Sequence, residues 1–199
     1  MRNFISEDDI EQAILQKLEG DPFQYGILRC DPSPDKRELL PDGTGRSSKK
    51  ECVLPLILRE ALARLNPDIP GEKLEEIARD LCRDFSATDM TATNYKYYNQ
   101  IRNGIKISLR RNGKEDFDFV KLVDFDRPEN NTFTAVSQMW IQGRVYWRRP
   151  DVLIFINGLP MVFVELKNSI VKVEEAYNDN LKNYLRDIPN PVSYTHLTL

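Results

Sequence analysis

In the first half of the chain, apolar positions recur every three to four residues, the period of a helix with one buried face. Ser6-Glu7-Asp8-Asp9 has the form of a helix start, a serine cap with an acid three residues on. Ile10, Ile14 and Leu18 then share one side. The period returns over Val53 to Leu65 and over Gly71 to Phe85, interrupted by Asn66-Pro67-Asp68-Ile69-Pro70. This predicts a helical pair packed through Leu54, Ile57, Leu58, Leu62, Leu74, Ile77 and Leu81. A further helix is expected over Met90 to Arg102, stopping before Gly104. Between the first two helical stretches, Asp31 to Lys50 is rich in proline, glycine, serine and charge and reads as a long loop.

After Gly104 the period shortens to two. Ile105, Ile107 and Leu109 alternate with polar residues, as in a half-buried strand, and Phe117 to Phe125 and Thr132 to Ile141 are further strand candidates. Val152 to Ile156 and Met161 to Val164 are nearly continuous apolar runs joined across Asn157-Gly158, a strong hairpin signal. Runs without alternation imply strands covered on both faces. A last helix is expected from about Val173 to Arg186, ending before Pro189. The fold class is therefore α/β (mixed α+β), a central mixed sheet flanked by helices. The expected organisation is a helical portion over residues 1–103, a core over 104–191, and a foreign tail over 192–199. That tail, VSYTHLTL, resembles the translation of a sequencing-library adapter, and on this reading the single histidine, His196, carries no function. The alternative is a natural β-prone segment.

Composition narrows the functional classes. Hydrophobic residues form 41% of the 199, enough for an ordinary core, and the net charge is only −3. A pI near 5.4 means that any grip on nucleic acid comes from a local basic patch or from partner subunits. Cys30, Cys52 and Cys82 are odd in number and widely spaced, which fits neither a disulfide framework nor a zinc site. No apolar run approaches the ~20 residues needed to cross a bilayer, so a cytoplasmic setting is expected. The glycines and Lys49 of the long loop lack phosphate-loop spacing, which leaves a nucleotide-binding domain with little support.

Chemistry gathers at the ends of the apolar hairpin. Asp151 opens one run, and Glu165 and Lys167 close the other. Two carboxylates supply the hard oxygens that Mg²⁺ prefers, and a lysine two residues beyond the second acid shares its side of the strand. The bland reading is that charged strand ends are solvated caps or ion-pair partners. Parity offers a test: a strict two-residue turn pairs Asp151 with Val164 and sends Glu165 to the opposite face, so an odd loop or a bulge is required. A three-residue loop is the expectation. Arg144, Trp147, Arg148 and Arg149 form a basic, aromatic cluster beside Asp151, suited either to phosphate contact or to structural ion pairing.

Three segments carry a family resemblance: LVDFDRPENNTF (Leu122 to Phe133), RRPDVLIFINGLPMVFVELKN (Arg148 to Asn168) and AYNDNLKNYLRDIP (Ala176 to Pro189). A looser match runs upstream through LREALARLNPDIPGEKLEE (Leu58 to Glu76). They resemble the amino-terminal domain of type I restriction endonuclease R subunits. The resemblance implies a PD-(D/E)xK nuclease core and cleavage of unmodified foreign double-stranded DNA with Mg²⁺, or with Mn²⁺ in its place. It makes Asp151 and Glu165 metal ligands, the Leu166 backbone carbonyl a further ligand, and Lys167 the catalytic lysine. Related nucleases carry Q-x-x-x-Y on the next helix; here Asn180 replaces the glutamine and Tyr184 keeps the tyrosine, with core packing an equal reading for Tyr184. Glu11 reads first as a surface helix glutamate and second as an additional acid near the metals. The family's ATP-driven motor lies downstream, so ATP belongs to the full-length subunit, as do the specificity and methylation subunits as partners. The rival class is a nuclease-fold module that binds DNA or partner subunits without cutting.

Overall fold

A computed structural model of the chain describes residues 6–83, 90–111, 114–143, 145–166 and 182–187. Helices α1 (Glu7–Glu19), α2 (Pro55–Leu65), α3 (Gly71–Cys82) and α4 (Met90–Asn103) precede most of the strands, and α5 (Lys182–Asp187) follows them. The central sheet holds β1 (Gly26–Arg29), β4 (Phe133–Ser137), β7 (Val152–Ile156) and β8 (Leu159–Val164), in the order β1-β4-β7-β8. Its first pair is parallel and the other two are antiparallel, so the sheet is mixed. Two-stranded ribbons are formed by β2 (Ile105–Arg111) with β3 (Lys114–Val120) and by β5 (Ile141–Gln142) with β6 (Trp147–Arg148).

Strand β7 shows why its sequence is apolar throughout. Leu153 and Phe155 pack on one face with Leu54, Cys52, Val136 and Met139, with Ile57 of α2 against them. Val152 and Ile154 pack on the other face with Ala135 and with Leu15 and Leu18 of α1. Leu153, Phe155 and Leu15 are all fully buried, and each such side chain contributes about 2 kcal/mol of hydrophobic stabilisation. Helix α2 also turns Leu58 and Leu62 toward Leu74, Ile77 and Leu81 of α3, so it links the sheet to the helical pair.

Helix α1 begins as its sequence dictates. The Ser6 hydroxyl accepts from the Asp9 N–H at 3.1 Å while the Asp9 carboxylate accepts from the Ser6 N–H at 3.0 Å, a reciprocal cap contributing about 1 kcal/mol. The face it buries differs from expectation. Glu11 and Leu15 are its buried residues, while Ile10, Ile14 and Leu18 are half-buried.

Two other departures have physical causes. Strand β1 falls within the stretch expected to be helical and joins the sheet by parallel pairing of Ile27 with Ala135, so the sheet draws on both sides of residue 103. Four residues without alternation give no local strand signal; the partner strand defines them. Strand β3 stops at Val120, short of Phe125, because Asp124 and Asn131 fold the following chain into a loop closed by their own hydrogen bonds.

The long loop over residues 31–50 is confirmed, with one 3₁₀ turn at Pro34–Lys36. It is anchored by a buried clasp in which Arg46 and Lys49, with side chains 0% and 4% exposed, both bind the Asp42 carboxylate, at 2.6 and 2.7 Å. Arg46 also donates to the carbonyls of Glu51 and Trp140. Lys49 thus serves structure.

Candidate metal centre at the open end of the hairpin

The β7–β8 turn is a two-residue turn, not the three-residue loop expected. Asn157 and Gly158 take φ of 52° and 81°, the left-handed pair that suits a tight hairpin. Phe155 pairs with Pro160, but Ile154 pairs with Val162, so Met161 is an extra residue and forms a bulge. That bulge supplies the odd residue that parity requires. Beyond it Val152 pairs with Val164, and the same register carried one step further sets Asp151 opposite Glu165.

The turn is also where α2 is seated. Leu54 N–H donates to the Gly158 carbonyl at 2.9 Å, and a Cβ on Gly158 would stand 2.6 Å from the Leu54 carbonyl oxygen. Buried Asn157 receives the Thr132 N–H at 2.8 Å and donates to the Leu122 carbonyl at 2.9 Å. One end of the hairpin is thereby locked, and the acids lie at the other.

At that end the Asp151 carboxylate accepts the Leu166 N–H at 2.6 Å, and the Asp151 carbonyl accepts the Gln138 N–H at 2.9 Å. Asp151 and Glu165 are both half-buried. Lys167, Asn180, Arg144 and the side chain of Tyr184 lie outside the described residues. Among the described residues, no three His, Cys, Asp or Glu side chains close into a group fit to hold a metal ion, so the arrangement is a pair of acids with a third nearby.

The third is Glu11. It is 5% exposed, which corrects its reading as a surface glutamate. Its carboxylate accepts a hydrogen bond from the Gln138 side-chain amide. Burial pushes the Glu11 carboxyl above its ordinary range. The Gln138 hydrogen bond and the Arg149 charge pull it back, while the charges of Asp151 and Asp8 push it further up. Electrostatic coupling with Asp151 puts Glu11 in the neighbourhood of the pair. A spacing signal existed for this: Glu11, Leu15 and Leu18 follow the four-and-three rhythm of a buried stripe. Gln138, at φ 56°, was not anticipated from sequence at all.

The arginines beside Asp151 are engaged within the chain. Arg148 Nε donates to the Asp187 carboxylate at 3.0 Å, and Arg186 Nε donates to the same carboxylate at 2.7 Å. Asp187 is 2% exposed in its side chain, and the hydrogen bond from Arg186, then that from Arg148, hold its carboxyl below the ordinary range against the cost of burial. Arg149 donates to the Pro32 carbonyl at 2.5 Å, and its guanidinium lies 5.2 Å from the Trp140 ring centre.

Known proteins are similar to this chain over most of its length. Residues 4–198 match the family model described as the type I restriction enzyme R protein N terminus. The chain belongs to that family. It is 32% identical over 167 residues, 83% of its length, to the type I restriction enzyme HindI endonuclease subunit of Haemophilus influenzae. It is 28% identical over 198 residues, 94% of its length, to a Methanocaldococcus jannaschii protein provisionally named the type I restriction enzyme MjaIXP endonuclease subunit. The chain spans 15% and 18% of the lengths of these two relatives. Seen within this R-subunit family, the segment from Leu122 to Phe133 has a structural role. Asp124 accepts the Arg127 N–H and the Asn130 amide, and Asn131 ties Asp124 to Asn157. No described helix of this R-subunit region is long and apolar enough to cross a membrane.

Proposed function

We propose that this region is the Mg²⁺-dependent endodeoxyribonuclease domain of a type I R subunit, hydrolysing phosphodiesters of double-stranded DNA. The observation that carries the reading is the register of the bulged hairpin, which brings Asp151 opposite Glu165 at the open end of the central sheet. The donor chemistry fits the ion: paired half-buried carboxylates are hard oxygen ligands, and Mg²⁺ needs only one or two of them beside water and phosphate oxygens. The elevated Glu11 carboxyl, disfavoured in its charged form by burial and in part by Asp151, marks a place where added positive charge is favourable.

Asp151 and Glu165 would hold the cation, with the Leu166 carbonyl as a further ligand. A divalent ion there supplies charge that polarises a phosphodiester and acidifies water. The bond from the Leu166 N–H fixes one Asp151 oxygen, so that carboxylate is oriented before any ligand arrives. Lys167, two residues past Glu165, is the residue assigned to orient the attacking water or to offset charge on the phosphoryl oxygens. Because Arg148 is committed to Asp187 and Arg149 to Pro32 and Trp140, affinity for DNA is expected to depend on the remainder of the R subunit and on the specificity and methylation subunits. The second reading is a nuclease-fold module that binds DNA or partner subunits without cutting; the internal commitment of these arginines favours its subunit-docking form over its DNA-binding one.

The test is a supercoiled-plasmid assay with Mg²⁺ or Mn²⁺ on the wild-type chain, Asp151→Ala and Lys167→Ala. Nicking by the wild type alone supports the nuclease. Equal nicking by all three signals contamination and removes support for cleavage by this chain, and silence from all three favours the binding module.

A further inference from the structure

Gln138 follows the last residue of β4, in a left-handed backbone conformation with φ of 56°. Residues other than glycine and, to a lesser degree, asparagine and aspartate rarely adopt it, because it is strained. Such strain persists only where the surroundings impose it. Here they do so through two bonds. The Gln138 N–H donates to the Asp151 carbonyl at 2.9 Å, and its side-chain amide nitrogen donates to the Glu11 carboxylate. One residue therefore ties together an acid of α1 and an acid at the head of β7, 127 and 13 positions away in sequence. The other half of its amide, Oε1, is buried and has no hydrogen-bond partner among the described residues. A buried acceptor left without a donor is costly, because its desolvation is not offset. An oxygen of this kind, on the amide that binds the Glu11 carboxylate, suits a cation or a water coordinated to one.

Resting on the nuclease reading above, we propose that Gln138 is a positioning residue of the metal centre. Its amide N–H holds the Glu11 carboxylate toward Asp151, its backbone N–H holds Asp151, and its amide oxygen faces the bound cation or a water upon it. The strained backbone is what allows one side chain to serve both acids. Without it the chain leaving β4 would carry residue 138 in extended geometry, and the amide would not be delivered to α1.

The test is Mn²⁺ binding to the full chain, followed by the spin-resonance signal of free Mn²⁺, for wild type, Gln138→Asn, Glu11→Gln and the double variant. Asparagine tolerates the left-handed backbone better than glutamine but falls one methylene short of Glu11. Gln138→Asn is expected to melt no earlier than wild type in the absence of metal yet to bind Mn²⁺ about tenfold more weakly, the loss typical of groups that orient metal ligands. In the Glu11→Gln background the same change is expected to add less than twofold, because the carboxylate that Gln138 positions is already gone. Unchanged Mn²⁺ affinity in Gln138→Asn, or a full additional tenfold loss in the double variant, overturns the assignment while leaving the Asp151–Glu165 site standing. Absence of Mn²⁺ binding by the wild type overturns both.

Discussion

Leu166 donates its backbone N–H to the Asp151 carboxylate across 2.6 Å, although the two residues lie fifteen positions apart. The contact exists because Met161 is bulged out of the β7–β8 ladder, which moves every later residue of β8 one step along its partner. The placement of Glu165 is thus a consequence of strand register, and register can be altered without touching either acid.

Inserting one alanine between Phe163 and Val164 is expected to bring Val164 opposite Asp151 and to turn Glu165 to the other face. Mn²⁺ binding and any cleavage should be lost, with far-UV circular dichroism largely retained. Deleting Met161 should have the milder effect. It removes the extra residue itself, so Ile154 still pairs with Val162 and Asp151 still faces Glu165, at a cost of about 1–3 kcal/mol in packing. Mn²⁺ affinities for the two variants, measured side by side, check this. Equal retention by both would show that register does not define the site.

Glu11 is a buried acid whose charged form the fold disfavours. Glu11→Gln is expected to raise the metal-free melting temperature at neutral pH and to weaken Mn²⁺ binding at the same time. Scanning calorimetry with and without Mn²⁺ separates the two effects. A variant less stable than wild type without metal would show that Glu11 is there for structure.

The Asp42 clasp sets an acid limit on stability. Burial opposes its ionisation, but the Arg46 charge and the hydrogen bonds from Lys49, Thr44 and Arg46 outweigh burial and hold the carboxyl far below the ordinary range. A depressed folded value means stability that is fully present above the unfolded pKa near 4 and is lost as pH falls through the folded value. Chemical denaturation between pH 5 and pH 2 is expected to show progressive loss across that window. Asp42→Asn, which strands two buried cations, should cost about 3–5 kcal/mol at pH 7 and flatten the dependence. An unchanged profile in the variant would assign the acid limit to other groups.

Seating of α2 on the hairpin turn predicts the effect of Gly158→Ala. The new methyl would enter the space of the Leu54 carbonyl and the Leu58 nitrogen at a residue with φ of 81°, where an alanine is also strained. A loss of about 2–4 kcal/mol is expected by urea denaturation. A loss below 1 kcal/mol would mean that the contact relaxes cheaply.

Local chemistry made much of this fold legible and tertiary chemistry hid the rest. The Ser6 cap, the α2–α3 pair and the β7–β8 hairpin follow from spacing, capping and Asn-Gly turn preference, all of which act within a few residues. That Asp151 and Glu165 flank a single hairpin was legible for the same reason. Strand β1 was not, because Gly26 to Arg29 become a strand only by pairing with β4, more than a hundred residues away. Parity admits either an odd loop or a bulge, and neither the choice of the bulge nor its position at Met161 is written in residue types. Glu11 and Gln138 are harder still. Their juxtaposition depends on where α1 crosses the end of the sheet and on one left-handed residue, and neither leaves a local pattern.

Asp151 and Glu165 are expected to share one divalent cation. Crystals of the chain grown with Mn²⁺ and measured at a wavelength where manganese scatters anomalously test it most directly. An anomalous peak is expected within about 2.0–2.3 Å of an oxygen from each carboxylate, lost in Asp151→Asn crystals. A peak elsewhere, or no peak at saturating Mn²⁺ with both side chains ordered, would contradict it.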